Sequence, residues 1–129
     1  MFMRYLLLLL FAVVLIFSCS QGDGGVYTPV SADGTAINGE LSSAGEIDMY
    51  GWQGVSGNTY RVTVTAVAPA PFDIVLESYG KYGFINEIDG SGSDYETYET
   101  TAGVDQLFKV GVKGASGSVG TYTVTVETL

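Results

Sequence analysis

Carboxylates are the side chains of this chain that could hold a metal ion. Asp48 follows Glu46 closely, Asp73 lies further along, and Asp89 and Asp94 stand at the two ends of the segment Asp-Gly-Ser-Gly-Ser-Asp. Calcium takes about six to eight oxygen ligands from carboxylates, carbonyls and water, so these aspartates are candidate calcium ligands. The segment lacks the ligand spacing of an EF-hand. The alternative for the 89–94 segment is a turn whose side chains cap backbone amides. The alternative for Asp48 is a hydrogen bond with a backbone amide or a tyrosine hydroxyl.

Tyrosines provide a second candidate site, for binding rather than for metal. Four of them cluster in and around the two predicted strands that flank the 89–94 loop, namely Tyr79, Tyr82, Tyr95 and Tyr98, with Phe84 among them. Exposed tyrosines present rigid, amphipathic area that suits sugars, collagen or protein surfaces. The alternative is that half of them alternate into the core. The aromatic residues predicted to lie in the core are Tyr50, Trp52, Tyr60, Phe72, Phe108 and Tyr122.

Catalysis is restricted by what the chain lacks. It contains no histidine and a single cysteine. Catalysis by a Ser-His-Asp or Cys-His arrangement is therefore excluded, as are histidine-rich zinc sites. A pair of carboxylates that hydrolyses a glycosidic bond is the remaining catalytic hypothesis. Because nothing in the sequence indicates a deep cleft, we expect the protein not to be an enzyme.

The N-terminus has the pattern of a secretory signal peptide. Arg4 precedes thirteen apolar or aromatic residues at positions 5–17, and Ser18 and Cys19 follow. A positive start, a short apolar core and a small residue before the cleavage point are typical of such a leader. Thirteen residues are too few to cross a bilayer of about 30 Å, which needs about 20 in a helix. We therefore predict a signal-peptide helix over residues 1–18 that is removed on export.

The junction Ile-Phe-Ser-Cys at positions 16–19 resembles the lipobox of bacterial lipoproteins. The resemblance implies diacylation of the Cys19 thiol, cleavage before it and acylation of the new N-terminus. Two or more acyl chains anchor a protein stably in a membrane. Ser20, by the same resemblance, favours the outer membrane over the inner one. The alternative is an ordinary signal peptide that is cleaved elsewhere.

Length and charge set further limits. The chain of 129 residues less the 18 of the leader leaves 111, enough for one domain with its own core. Removal of Arg4 with the leader leaves four basic residues against fourteen acidic ones, a net charge of −10. This balance argues against nucleic acid and anionic lipid headgroups as partners and is compatible with divalent cations or cationic proteins.

The mature sequence predicts a flexible tether followed by a β-domain. Residues 19–35 are rich in glycine and lack a sustained apolar period, which is typical of a linker. From residue 36 onward the period is two, as in 59–66 and 121–127, where apolar residues alternate with threonines. Turn residues recur about every ten positions. The predicted strands are 36–41, 46–53, 58–66, 72–79, 82–88, 94–101, 105–113 and 119–128, which indicates an antiparallel, all-β sandwich of seven to eight strands over 36–129.

This β-domain resembles the bacterial pre-peptidase C-terminal domain, an accessory module of secreted proteases. The resemblance is carried in order by five segments: Gly-Glu-Leu at 39–41, Glu-Ile-Asp-Met-Tyr-Gly-Trp at 46–52, a glycine before a tyrosine-bearing strand at 57–64, Phe-Asp-Ile-Val-Leu at 72–76, and Gly-Thr-Tyr-Thr-Val-Thr-Val at 120–126. It implies a jelly-roll-like sandwich that binds rather than catalyses. Some members bind calcium, and the collagen-binding modules of clostridial collagenases are related. Here the lipobox leads directly into the module, without a protease domain between them.

Two functions are expected from these features. The first is a membrane-anchored surface lipoprotein whose sandwich binds an extracellular polymer or protein, with calcium as a structural clamp. The second is a structural or assembly lipoprotein that docks onto another cell-envelope protein, such as a protease encoded as a separate chain. Neither involves nucleic acid, and the sequence does not determine the oligomeric state.

Overall fold

The computed structural model describes residues 26–68, 72–80, 82–88 and 94–129. Their fold contains nine strands: β1 (Thr28–Pro29), β2 (Ile37–Leu41), β3 (Asp48–Gly54), β4 (Thr59–Ala68), β5 (Ile74–Gly80), β6 (Gly83–Ile88), β7 (Tyr95–Thr101), β8 (Gln106–Gly114) and β9 (Gly120–Thr128). A short 3-10 helix, Ala115–Gly117, joins the last two strands. No helix in this part of the chain is long and apolar enough to cross a membrane. The leader helix, Cys19 and Asp89 lie outside the described residues.

The strands form two sheets with the order β1-β3-β8-β5-β6 and β2-β9-β4-β7. Apart from β1, every pair within the sheets is antiparallel. Consecutive strands from β2 to β5 alternate between the sheets, and β7, β8 and β9 do the same, which is the strand order of a jelly roll. The predicted antiparallel, jelly-roll-like sandwich is confirmed, and each of the eight predicted strands matches an observed one to within two residues.

The core lies between the sheets and follows the predicted alternation. Val62 and Val64 of β4 and Val124 and Val126 of β9 are fully buried, while the threonines between them face outward. Period-two alternation places all apolar side chains of a strand on one face, so the face that meets the other sheet becomes the core. The predicted aromatic core is also observed: Tyr50, Trp52, Tyr60 and Tyr122 are buried, and Phe72 and Phe108 pack partly buried against them.

The predicted boundary of the domain at residue 36 is wrong. β1 pairs in parallel with β3, Val30 is buried in the core, and the Val30 amide donates to the Gly51 carbonyl at 2.8 Å. Further along, Asp33 forms a bridge with Glu127 of β9. A strand of two residues is too short to show an alternation of apolar and polar residues. The sequence pattern therefore could not predict β1. Residues 28–35 therefore belong to the domain rather than to the tether.

Truncation provides a test of this boundary. We expect residues 26–129 to be more stable than residues 36–129 by about 3 kcal/mol, because the shorter chain loses the burial of Val30 and the backbone hydrogen bonds of the segment. Urea unfolding followed by tryptophan fluorescence would measure the difference. Equal stability of the two chains would show that residues 26–35 contribute nothing to the fold.

Candidate binding groove

A groove of about 500 Å³ opens between the two sheets near the end of β3 and the start of β8. The five-stranded sheet contributes residues of β3, β5, β6 and β8, and the four-stranded sheet contributes β7. The residues that line it are Trp52, Ser78, Tyr79, Gly80, Ile85, Tyr98, Thr100, Thr101, Gln106, Leu107, Phe108 and Lys109. Apolar and aromatic side chains with several hydroxyl and amide groups are the usual lining of a binding site.

The floor of the groove is a packed aromatic cluster. The rings of Trp52 and Phe108 stack with centroids 5.3 Å apart, and Tyr60 lies 6.0 Å from both. Gly54 permits this packing, because a Cβ at that position would lie 2.3 Å from Cε2 of Phe108. The Tyr60 hydroxyl in turn accepts a hydrogen bond from the Val55 amide. This packing fixes the position of Phe108, the partly buried ring of the cluster that lines the groove.

One wall of the groove is set by a β-bulge in β6. Ser78 pairs with Asn86 and Tyr79 with Phe84, so Ile85 is the extra residue between the two pairs. Its side chain packs beneath Gly80, where a Cβ would lie 2.8 Å from the Ile85 Cδ1 atom, and yet it is 66% exposed. Bulges frequently redirect a side chain toward a functional surface. Here the bulge directs an exposed isoleucine to the groove.

A charged network stabilises the neighbouring outer face of the five-stranded sheet. Lys113 Nζ lies 2.7 Å from Glu77 Oε1 and 2.7 Å from Glu87 Oε2. Burial raises the pKa of Glu77, but the hydrogen bonds from Lys113 and Tyr79 outweigh it, so that pKa lies below its ordinary value. Hydrogen bonds to both glutamates raise the pKa of Lys113. Glu77 and Lys113 therefore stay charged at neutral pH.

Tyr79 belongs to this network as well as to the groove wall. Its hydroxyl donates to Glu77, and its ring meets Phe84 edge-on with centroids 6.0 Å apart. Burial, followed by the bond to Glu77, raises the pKa of Tyr79 to about 12. The hydroxyl is thus engaged within the protein, and Tyr79 offers a ligand mainly its ring and its backbone.

The structure brings together only some of the predicted tyrosines. Tyr79 and Tyr98 line the groove from opposite sheets, and Tyr82, 95% exposed, lies at the adjacent β5–β6 hairpin. Tyr95 is three residues before Tyr98 on β7, so its side chain points to the outer face of the four-stranded sheet, where it pairs with Thr65. Tyr95 therefore lies apart from the groove.

The predicted metal ligands do not form one site among the described residues. Asp48 lies on β3 and Asp73 just before β5, and the Asp94 carbonyl accepts the Ala66 amide at 2.8 Å. Within the described ranges, no three acidic or cysteine side chains come close enough to hold an ion. Asp73 has a buried Oδ1 atom without a hydrogen-bond partner in the described part. Calcium binding by the 89–94 loop stays a prediction, because most of that loop lies outside the description.

Asp48 instead takes part in a hydrogen-bonded link between the sheets. The Tyr122 hydroxyl of β9 donates to Asp48 Oδ2 at 2.5 Å and lies 2.6 Å from the Tyr50 hydroxyl of β3. Since the one Tyr122 proton goes to Asp48, the Tyr50 hydroxyl donates to Tyr122. Desolvation raises the pKa of Asp48, while the Tyr122 bond opposes the rise. This is the tyrosine-hydroxyl alternative expected for Asp48 from the sequence.

Several groove residues were not anticipated by the sequence analysis. Ile85 and Gln106 line the groove, and Trp52 was expected only as core. The adjacent apolar residues Phe84 and Ile85 break the period-two alternation, and this is the one signal that could have indicated the bulge. Tyr95 and Tyr98 are three residues apart, and an odd spacing places two side chains of a strand on opposite faces. This spacing could have shown that the two tyrosines do not share a surface.

The fold is similar to that of several solved structures. No family model matches the sequence, and no curated protein matches it. Solved structures with a similar fold include the pre-peptidase C-terminal domain of a collagenase from Bacillus anthracis, with 14% identity and a TM-score of 0.57 over 81% of this chain and 99% of that one. They also include PliG, a periplasmic lysozyme inhibitor of g-type lysozyme. The Aeromonas hydrophila protein has 12% identity, a TM-score of 0.56 and coverage of 81% and 96%. The Salmonella Typhimurium protein has 16% identity, a TM-score of 0.52 and coverage of 81% and 99%.

These similarities concern the fold. At such low identity they show that the chain has the fold of the pre-peptidase C-terminal domain, as the sequence resemblance implied. They also show that the same fold occurs in proteins described as inhibitors of an enzyme.

Proposed function

We propose that the protein is an exported, lipid-anchored bacterial surface protein whose sandwich is a non-catalytic binding module for an extracellular polymer or protein. The observation that carries the proposal is the groove, where an aromatic floor, the exposed Ile85 and half-buried Tyr98 meet between the sheets. The structural neighbours support it, because one is the pre-peptidase C-terminal domain of a collagenase and two are inhibitors of g-type lysozyme.

The direction in which the chain enters the domain supports presentation of the groove away from the membrane. β1 runs parallel to β3, with Thr28 beside Tyr50 and Pro29 beside Gly51. The chain therefore approaches the middle of β3 from the side of its start, whereas the groove begins at Trp52 and lies toward its end. Seven Cα–Cα steps separate Cys19 from Val26, a reach of at most about 25 Å. A lipid at Cys19 would thus hold the entry end close to the bilayer and leave the groove on the far side.

Calcium has a structural role in this proposal. The 89–94 loop precedes β7, whereas the groove uses Tyr98, Thr100 and Thr101 toward the end of that strand. Ile88 and Tyr95, which border this segment, lie at the ends of β6 and β7 away from the groove, so we expect an ion bound there to stabilise the fold without contacting a ligand in the groove. Removal of calcium should accordingly lower stability rather than affinity measured on folded protein.

The test uses the full chain, purified in detergent and sedimented with collagen, chitin, cellulose or peptidoglycan in calcium or in chelator. We expect retention on one of these matrices. Tyr82→Ala and Tyr98→Ala should weaken it by about tenfold, because truncated aromatic side chains are common binding hot spots. Tyr95→Ala is the matched control and should leave retention unchanged.

Two outcomes would contradict this assignment. Equal weakening by Tyr95→Ala would place the binding face elsewhere, and thermal unfolding of each variant would identify any loss caused by misfolding. Absence of retention on every matrix would favour the second function, docking onto another envelope protein. The surplus of acidic residues, fourteen against five basic ones, favours a basic partner for that function.

A further inference from the structure

β6 is an edge strand with an open side. In the five-stranded sheet it comes last and pairs with β5, and within the described ranges no strand lies on its other side. All of its residues except Ile88 are exposed. Half of the backbone amides and carbonyls of such a strand point away from the sheet, where they can pair with an added strand.

Apart from the bulge at Ile85, this edge carries little of the protection that natural sheets usually place there. The sequence of β6, Gly-Phe-Ile-Asn-Glu-Ile, contains no lysine and no proline. Its one charged residue, Glu87, forms an ion pair with Lys113, which also pairs with Glu77. Phe84 and Ile85 are 57% and 66% exposed, so two large apolar side chains lie side by side on the open strand. A soluble protein that leaves such an edge uncovered either aggregates or uses the edge to bind.

The groove runs beside this edge. Ile85 lines the groove, whereas Phe84 packs against Tyr79 on the outer face of the sheet. In an added strand, alternate side chains would point to these two sides. One set would reach the groove beside Ile85, and the other would cover Phe84 and Tyr79. The backbone and both side-chain rows of an extended segment would therefore find contacts.

Charge indicates the chemistry of the segment. The chain has a net charge of −9, and two of its basic residues are already engaged, Arg61 by Glu99 and Glu127 and Lys113 by Glu77 and Glu87. A second copy of this acidic chain would be repelled, whereas a segment rich in lysine or arginine would be attracted.

From these observations we propose that β6 binds an extended, basic segment of a partner protein by strand addition, with alternate apolar side chains of that segment in the groove. This is a peptide-recognition mode in which main-chain hydrogen bonds supply affinity and side-chain pockets supply specificity. The proposal rests on the proposed function, because it assigns a class of ligand to the same groove.

The probe is a library of random peptides of strand length, selected against the full chain in detergent. We expect the enriched peptides to be basic, with apolar residues at alternate positions. Replacement of alternate backbone amides of a selected peptide by N-methyl amides should weaken binding by about tenfold or more, because those amides can no longer pair with β6. Ile85→Lys should weaken it similarly, since it places a positive charge beside a basic ligand. Val67→Lys, at a valine of similar exposure (55%) on β4 of the other sheet, is the matched control and should not change it.

Three results would overturn the proposal: no enrichment, enrichment of peptides without basic residues, or binding that tolerates both N-methylation and Ile85→Lys. Dimers in analytical ultracentrifugation that Ile85→Lys dissociates would also overturn it, since a second copy would then occupy the edge. Failure here is distinguishable from failure of the proposed function. If Tyr82→Ala and Tyr98→Ala weaken retention on a polymer and Ile85→Lys does not, the protein is still a binding module. Only the proposal of strand addition would then be excluded.

Discussion

Replacement of Trp52 by alanine is expected to destabilise the domain by about 3–5 kcal/mol, the range for removal of a large buried aromatic side chain. Trp52 is buried, stacks on Phe108 and meets Tyr60, so its removal would leave a cavity beneath the groove. Chemical unfolding measured by circular dichroism would give the free energy without depending on tryptophan fluorescence. Phe84→Ala, at an exposed aromatic residue of the same sheet, is the control and should cost about 1 kcal/mol or less.

The variant Trp52→Phe separates packing from hydrogen bonding. The indole Nε1 atom is buried and has no hydrogen-bond partner in the described part of the chain. Phenylalanine removes this unsatisfied donor and keeps part of the apolar volume, so the loss should be less than half of that for alanine. A loss of about 1 kcal/mol or less for Trp52→Ala would show that the aromatic cluster does not anchor the core. Trp52 variants are therefore unsuitable as probes of ligand binding, which is better tested at Tyr82 and Ile85.

Replacement of Tyr122 by phenylalanine is expected to destabilise the domain by about 1–3 kcal/mol. The change removes the hydroxyl that donates to Asp48 and accepts from Tyr50, and it leaves both groups without their partner between the sheets. Tyr50→Phe removes only the outer member of the link and should cost less than Tyr122→Phe. Equal costs in urea unfolding, or no cost for Tyr122→Phe, would show that the link does not hold the sheets together.

The same link predicts a dependence on pH. Desolvation raises the pKa of Asp48 in the folded state above the unfolded value of 3.8. The stability that Asp48 contributes is therefore fully present below pH 3.8 and is lost as the pH rises through the folded pKa. Asp48→Asn keeps an acceptor for Tyr122 and has no charge. Relative to the wild type, this variant should therefore be more stable at neutral pH than at acid pH. A stability difference that does not change with pH would contradict the raised pKa.

Much of the fold could be predicted from the sequence because it depends on local periodicity. The alternation of Tyr122, Val124 and Val126 with threonines, repeated in β4, determines which face of each strand is buried. Glycine and serine at regular intervals place the turns, and Gly57, with a φ of 91°, occupies one of the predicted ones. Eight of the nine strands could be located in this way. The two-residue β1 could not, because its position depends on pairing with β3 and not on any period of its own.

The candidate site depends on the tertiary structure to a greater degree. The sequence alone determined the class of the protein: all-β, strongly acidic and without histidine. Only the fold decided that Tyr98 lines a groove between the sheets while Tyr95 faces away, and that a bulge directs Ile85 to the groove. Only the fold placed Asp48 beside Tyr122, 74 residues away in the chain. The physical reason is that side-chain period is a property of one strand, whereas a site between two sheets depends on register and topology, which are set by the packing of the whole core.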